Sequence, residues 1–139
     1  MDKTFKIVLL LFTFSLIIFF VMGCAKQSAK DDGDKAVGYQ KITPAVVKER
    51  LAKGEKLIIV DVRTKEEYDS GHIPRSLLIP YDEMEATAAS LLPDKNASII
   101  VYCRSGRRSE IAAKSLVKLG YTNVADLGAI SDWKYGLEK

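Results

Sequence analysis

The chain has 139 residues, 47% hydrophobic and 28% charged, an ordinary composition for a globular protein with one domain. Its 21 basic and 18 acidic side chains leave a net charge of +3, too balanced for the strongly basic face that nucleic-acid binding needs. Two cysteines and one histidine leave no set of residues for a Cys/His zinc site.

Residues 7–23, IVLLLFTFSLIIFFVMG, carry no charge and follow Lys3 and Lys6, partly offset by Asp2. A basic start, an apolar stretch and small residues predict a signal peptide over residues 1–23. The stretch is shorter than the ~20 residues that span a bilayer comfortably. It ends in Val21-Met22-Gly23-Cys24, which resembles a bacterial lipobox, although Met22 stands where a small residue is usual. That resemblance implies lipidation at Cys24 and attachment to a membrane. The alternative is an uncleaved anchor with an incidental cysteine. Both place the folded part outside the cytoplasmic membrane, at the cell surface or the periplasmic face. With Cys24 acylated, Cys103 is the only free thiol and no internal disulfide can form. A lone exposed thiol in an oxidising compartment is a liability unless it is used.

After Cys24, residues 25–38 are small, polar and charged, and predict a flexible tether. Regular patterning starts at Tyr39, so the domain is expected over 39–139. Thr43 and Pro44 open a helix, PAVVKERLAK, that Gly54 closes. Residues 56–62, KLIIVDV, form an apolar run suited to a strand covered on both faces. Thr64 and Glu67 are spaced as a capping box for a short helix. A second strand is expected over 76–80. Asp82 and Glu85 suggest another capping box, opening a helix to about Leu92, and Pro93-Asp94-Lys95-Asn96 is a turn. SIIVY, 98–102, is the third strand. A helix runs from Ser109 to Leu119 and closes at Gly120, a last strand covers 123–127, and SDWKY gives a final helical turn. Strands alternating with helices predict an α/β fold: a small parallel sheet of four to five strands with helices on both faces. In such sheets, reactive groups gather at the carboxyl ends of the strands.

Cys103 lies at one such end, between a strand and a helix. Backbone N–H groups of a tight loop can turn inward there, and the helix N-terminus adds its positive dipole end. Gly106 supplies the residue free to take positive φ. Arg104, Arg107 and Arg108 raise the local positive potential. An ordinary cysteine titrates at about 8.5, and such surroundings can lower that to roughly 3.5–7.5. Cys103 is therefore placed to act as a thiolate on something negatively charged. The bland alternative is a structural cysteine beside a solvated basic patch.

Three segments carry a family resemblance: DVRTKEEYDSGHIPRSLLIP (61–80), YCRSGRRS (102–109) and DLGAISDW (126–133). In this order they resemble a rhodanese domain of the single-domain thiosulfate sulfurtransferase type, over about residues 39–136. Arg75 stands where glycine is common, and Ala129 where the second glycine of a pair is common. The resemblance implies that Cys103 attacks the outer sulfur of thiosulfate or a similar small anionic donor. Sulfite leaves, Cys103 holds a persulfide, and cyanide or a thiol accepts the sulfur, with no cofactor. It implies that backbone amides over Arg104, Ser105, Gly106, Arg107, Arg108 and Ser109 stabilise the persulfide and the departing anion. Arg108 is the first choice for gripping the donor, with Arg104 and Arg107 at the rim. Phosphatases and arsenate reductases of the superfamily place five residues between cysteine and arginine. Here four intervene and Ser109 takes that arginine's place, a narrower cradle suited to sulfur. A non-catalytic module that binds anions or a partner remains the rival of another class. A thiol redox role lacks a Cys-x-x-Cys motif.

Asp61 and Arg63 are possible support for the site at the end of a central strand, with Arg63 and Glu67 spaced as an i,i+4 pair. A structural role is favoured for them, for His72 in its Gly-His-Ile-Pro turn, and for Trp133, expected to pack under the cleft.

Overall fold

The computed structural model describes residues 38–139. The expected signal peptide, Cys24 and nearly all of the tether lie outside these residues. Among the described residues, no helix is long and apolar enough to cross a membrane.

Five strands and four helices alternate: β1 (Tyr39–Lys41), α1 (Pro44–Ala52), β2 (Leu57–Asp61), α2 (Lys65–Ser70), β3 (Leu77–Leu78), α3 (Met84–Leu91), β4 (Ser98–Cys103), α4 (Arg107–Lys118) and β5 (Val124–Ala129). A 3₁₀ turn, Ile130–Asp132, follows. All strand pairs are parallel and the sheet order is β1-β5-β4-β2-β3, as expected for an α/β fold.

The central strand β4 explains the two-sided core. Its side chains alternate, so Ile99, Val101 and Cys103 join one apolar cluster and Ile100 and Tyr102 the other. The first cluster takes Met84 and Ala88 from α3 and Ala112, Ala113 and Leu116 from α4. The second takes Val47 from α1, Leu127 from β5 and Trp133. Each isoleucine of β4 is fully buried, worth roughly 1.5–3 kcal/mol of apolar transfer.

Local signals set most of the boundaries. Thr43 accepts the Val46 N–H at 3.4 Å, and Pro44 is the first residue of α1. The capping box on α2 is reciprocal, Glu67 N–H to Thr64 Oγ1 at 3.3 Å and Thr64 N–H to Glu67 Oε2 at 3.2 Å. Gly120, with φ 88°, follows the end of α4 as expected.

Several expectations need correction. Asp82 and Glu85 form no capping box. A turn closed by Glu83 N–H to the Pro80 carbonyl at 3.0 Å precedes α3, whose N-cap Glu83 makes no side-chain bond. Glu85 instead reaches α4, 3.3 Å from Lys118 Nζ. Helix α4 begins two residues before Ser109, because Gly106 turns left-handed at φ 95° and its carbonyl accepts the Glu110 N–H. The last turn covers Ile130–Asp132, and Trp133 is already extended. Strand β5 reaches Ala129 because an irregularity opposite Val101 and Tyr102 skips Leu127 and carries the strand on.

Candidate active site

Strand β4 delivers Cys103 to the carboxyl edge of the sheet, and residues 104–106 fold over it. The thiol is fully buried, which corrects the expectation of an exposed one: its side chain belongs to the apolar cluster with Val60 and Val62. The loop can close this tightly because Gly106 takes φ 95°, a left-handed conformation that glycine adopts freely. A Cβ on Gly106 would stand 3.8 Å from the Gly128 Cα.

The closed loop aims donors at the sulfur. The Gly106 N–H donates to Cys103 Sγ at 3.1 Å. Ser109 Oγ lies 3.7 Å from Sγ and donates to the Gly106 carbonyl at 2.9 Å. That hydroxyl has one proton, so it serves either the carbonyl or an ionised sulfur. Burial pushes the Cys103 thiol up, but the Ser109 N–H, the Ser109 hydroxyl and the Ser105 and Gly106 N–H groups outweigh it. The net shift is downward, toward thiolate at lower pH.

The arginines part ways. Arg108 is held from behind: Nη1 and Nη2 donate to the two Glu67 oxygens at 2.6 and 2.8 Å. That bidentate pair holds the Glu67 carboxyl down to about 2. Arg104 and Arg107 are exposed, and Arg104 has no side-chain partner among the described residues. Arg63 does not pair with Glu67 as its spacing suggested. It is buried against Asp61, with Nε 2.9 and 3.0 Å from the two carboxylate oxygens and Nη2 2.6 Å from Oδ2. It also donates to the Gly71 carbonyl at 2.8 Å. A short hop back to Asp61 fixes the guanidinium before the chain enters α2, and Glu67 is left for Arg108.

Tyr102, one residue before Cys103, faces away from it. Its hydroxyl accepts the Ile73 N–H at 3.0 Å and lies 3.1 Å from Ser76 Oγ, tying β4 to the loop before β3. His72 is structural in its contacts. It stacks on Tyr68 at 3.6 Å, and Nδ1 donates to the Tyr68 carbonyl at 3.0 Å. Arg75 takes φ 62°, so the position where glycine is common keeps a left-handed backbone with a larger side chain.

Beside the loop lies a cleft of about 560 Å³, bounded by Arg104, Arg63 and Glu67 together with Ile130, Trp133 and Leu137. Sequence reasoning missed two of its features. Glu67 showed a capping role and a spacing to Arg63 but not its partner Arg108, which is 41 residues away. Leu137 sits past the last patterned segment and carries no local signal.

The rhodanese-like domain family matches residues 43–135. Thiosulfate sulfurtransferase PspE of Escherichia coli (strain K12) is 38% identical over 73 residues, 52% of this chain and 70% of that protein. YrkF of Bacillus subtilis (strain 168) is 34% identical over 109 residues, 78% of this chain, and the match spans only 58% of that protein. A solved structure of a rhodanese with anions from E. coli superposes with a TM-score of 0.57 at 35% identity, over 60% of this chain and 98% of that one.

Proposed function

The chain belongs to the rhodanese-like domain family, and on that basis we propose that it is a sulfurtransferase working through a persulfide on Cys103. The observation that carries this is the Gly106 N–H on Sγ at 3.1 Å, within a loop of four residues between Cys103 and Arg108. The thiolate attacks the outer sulfur of thiosulfate or a similar donor. The bond to the inner sulfur breaks, its electron pair leaves on sulfite, and the outer sulfur stays as a persulfide anion. The N–H groups of Ser105, Gly106 and Ser109 that favour the thiolate are placed to favour the persulfide as well. A thiol or cyanide then removes the sulfur. Arg104, unpaired at the cleft, draws the donor in, and Arg108, fixed by Glu67, holds the charge behind the loop.

The test is transfer from thiosulfate to cyanide, read as thiocyanate. Activity in the wild type and none in Cys103→Ser supports the proposal. No activity in either contradicts it for this donor pair. One observation favours a second reading, a non-catalytic module that binds anions or a partner: the thiol has no exposed surface. Anion binding that survives Cys103→Ser, with no sulfur gained by the wild type, would establish that module.

We also propose that Cys24 is lipidated and that the domain works outside the cytoplasmic membrane. The support is the uncharged run over 7–23 and the Gly23-Cys24 junction. A fatty-acid label carried by the wild type and absent from Cys24→Ala is the expected result. An unlabelled wild type would contradict it.

A further inference from the structure

Strand β5 leaves regular pairing at one point, next to Cys103. Val101 of β4 stands opposite Asp126, but Tyr102 stands opposite Gly128, so Leu127 is skipped and Cys103 pairs with Ala129. Without the skip, Cys103 would face Gly128. Irregularities of this kind re-aim side chains where strands end at functional sites.

Asp126 holds the skip in place. Its Oδ1 accepts the Gly128 N–H at 2.8 Å, a turn closed by the side chain, and Gly128 takes φ 84°. Its Oδ2 accepts from Lys41 Nζ at 2.5 Å, and its backbone carbonyl accepts the Ile42 N–H at 3.1 Å. Edge strand β1 thus clamps Asp126 from the side opposite β4. The Asp126 side chain is 0% exposed and that of Lys41 66%. A carboxylate at that depth is costly, and apolar residues fill strand positions at less cost. Its neighbours Ala125 and Leu127 do so in the second apolar cluster. Lys41 is also acted on by Glu110 of α4 and lies 5.7 Å from the Tyr39 ring. Gly128 is close to the cysteine loop as well, as the 3.8 Å from its Cα to a Cβ on Gly106 shows.

We propose that Asp126 is a positioning residue for Cys103. By bonding the Gly128 N–H it fixes the register that pairs Cys103 with Ala129, and so sets where the sulfur stands against the Gly106 N–H. The positioning is independent of the reaction; its effect on turnover rests on the sulfurtransferase reading above.

The experiment compares Asp126→Asn with Asp126→Val in the full-length chain. Both lose the charge and the Lys41 ion pair, but only asparagine keeps an oxygen for the Gly128 N–H. The readouts are the pH midpoint of alkylation at Cys103, followed by peptide mass spectrometry, and kcat and KM for transfer from thiosulfate to cyanide. Folding is checked by circular dichroism. With the register loosened, the sulfur drifts from its N–H donors, so the midpoint should lie about half a pH unit or more higher in Asp126→Val than in Asp126→Asn. For the same reason kcat should be about tenfold or more lower, with KM within about twofold. Asp126→Ala repeats the removal in a smaller volume should valine prevent folding. Val47→Ala, a core truncation on α1, should lower stability and leave the midpoint in place. Equal midpoints and equal kcat in Asp126→Asn and the folded variant without the oxygen overturn the proposal. A midpoint raised as much in Val47→Ala also overturns it, because the shift then follows stability. A wild type that gains no sulfur from thiosulfate overturns the sulfurtransferase reading instead, and the alkylation midpoints still decide the role of Asp126.

Discussion

Arg108 and Glu67 form a bidentate ion pair, 2.6 and 2.8 Å across its two bonds, that joins the first turn of α4 to α2. The arginine expected to grip the donor is therefore already engaged, and its guanidinium is a fixed charge behind the loop. Arg108→Ala should lower kcat/KM for thiosulfate by about tenfold or more, while Lys118→Ala on the same helix changes it by less than about twofold. Steady-state kinetics checks this, and equal effects would remove Arg108 from the site.

The same pair predicts a pH dependence of stability. The Glu67 carboxyl is depressed from 4.5 to about 2 by Arg108. A depressed folded value means the stabilisation is fully present above 4.5 and is lost as pH falls toward 2. The pair is partly solvated, so it is worth only about 1 kcal/mol. Urea unfolding of the wild type and Glu67→Gln should differ by that amount near neutrality and converge across this acid range.

How much of this was legible beforehand depended on the range of the signal. The strands at 56–62 and 98–102 announced themselves as apolar runs, and Thr64 and Glu67 as a cap, because each signal is local. The cysteine at a strand end, before glycine and arginines, was equally visible. Edge strand β1 was not assigned: it has three residues, two of them exposed, so it shows no apolar pattern. The depth of Cys103 is not legible because the side chain is buried by Val60 and Val62 of the β2 segment, far earlier in the chain. The pairing of Arg63 with Asp61 rather than Glu67 was decided by burial at the strand end, which spacing along a helix does not register.

That buried pair is expected to matter for folding more than for chemistry. Asp61 and Arg63 side chains are 0% and 6% exposed. Asp61→Ala leaves a buried guanidinium with one carbonyl partner and should cost roughly 3–5 kcal/mol. Replacing both residues, Asp61→Ala with Arg63→Met, should cost less than the single change. Chemical denaturation of the three proteins tests the order.

Gly106 carries both backbone and chemical demands. An alanine at φ 95° costs roughly 1–2 kcal/mol of strain, although a Cβ has room at 3.8 Å from Gly128. Relief of that strain would draw the N–H off Sγ. Gly106→Ala should therefore lose sulfur-transfer activity by about tenfold or more while remaining folded by circular dichroism.

Ser109 tests the electrostatics without moving the backbone. Its hydroxyl is one of the groups that hold the Cys103 thiol below its ordinary value. Ser109→Ala removes a donor to the thiolate, so the alkylation midpoint should rise in pH, with the plateau rate unaltered. A midpoint that stays in place would mean the peptide N–H groups suffice.

Sulfur uptake at Cys103 is the centre of the account. The full-length protein is incubated with thiosulfate, freed of excess donor and weighed intact by mass spectrometry under non-reducing conditions. One added sulfur atom on the wild type, absent from Cys103→Ser and removed by cyanide, is the predicted result. A wild type that gains no sulfur from thiosulfate would contradict it.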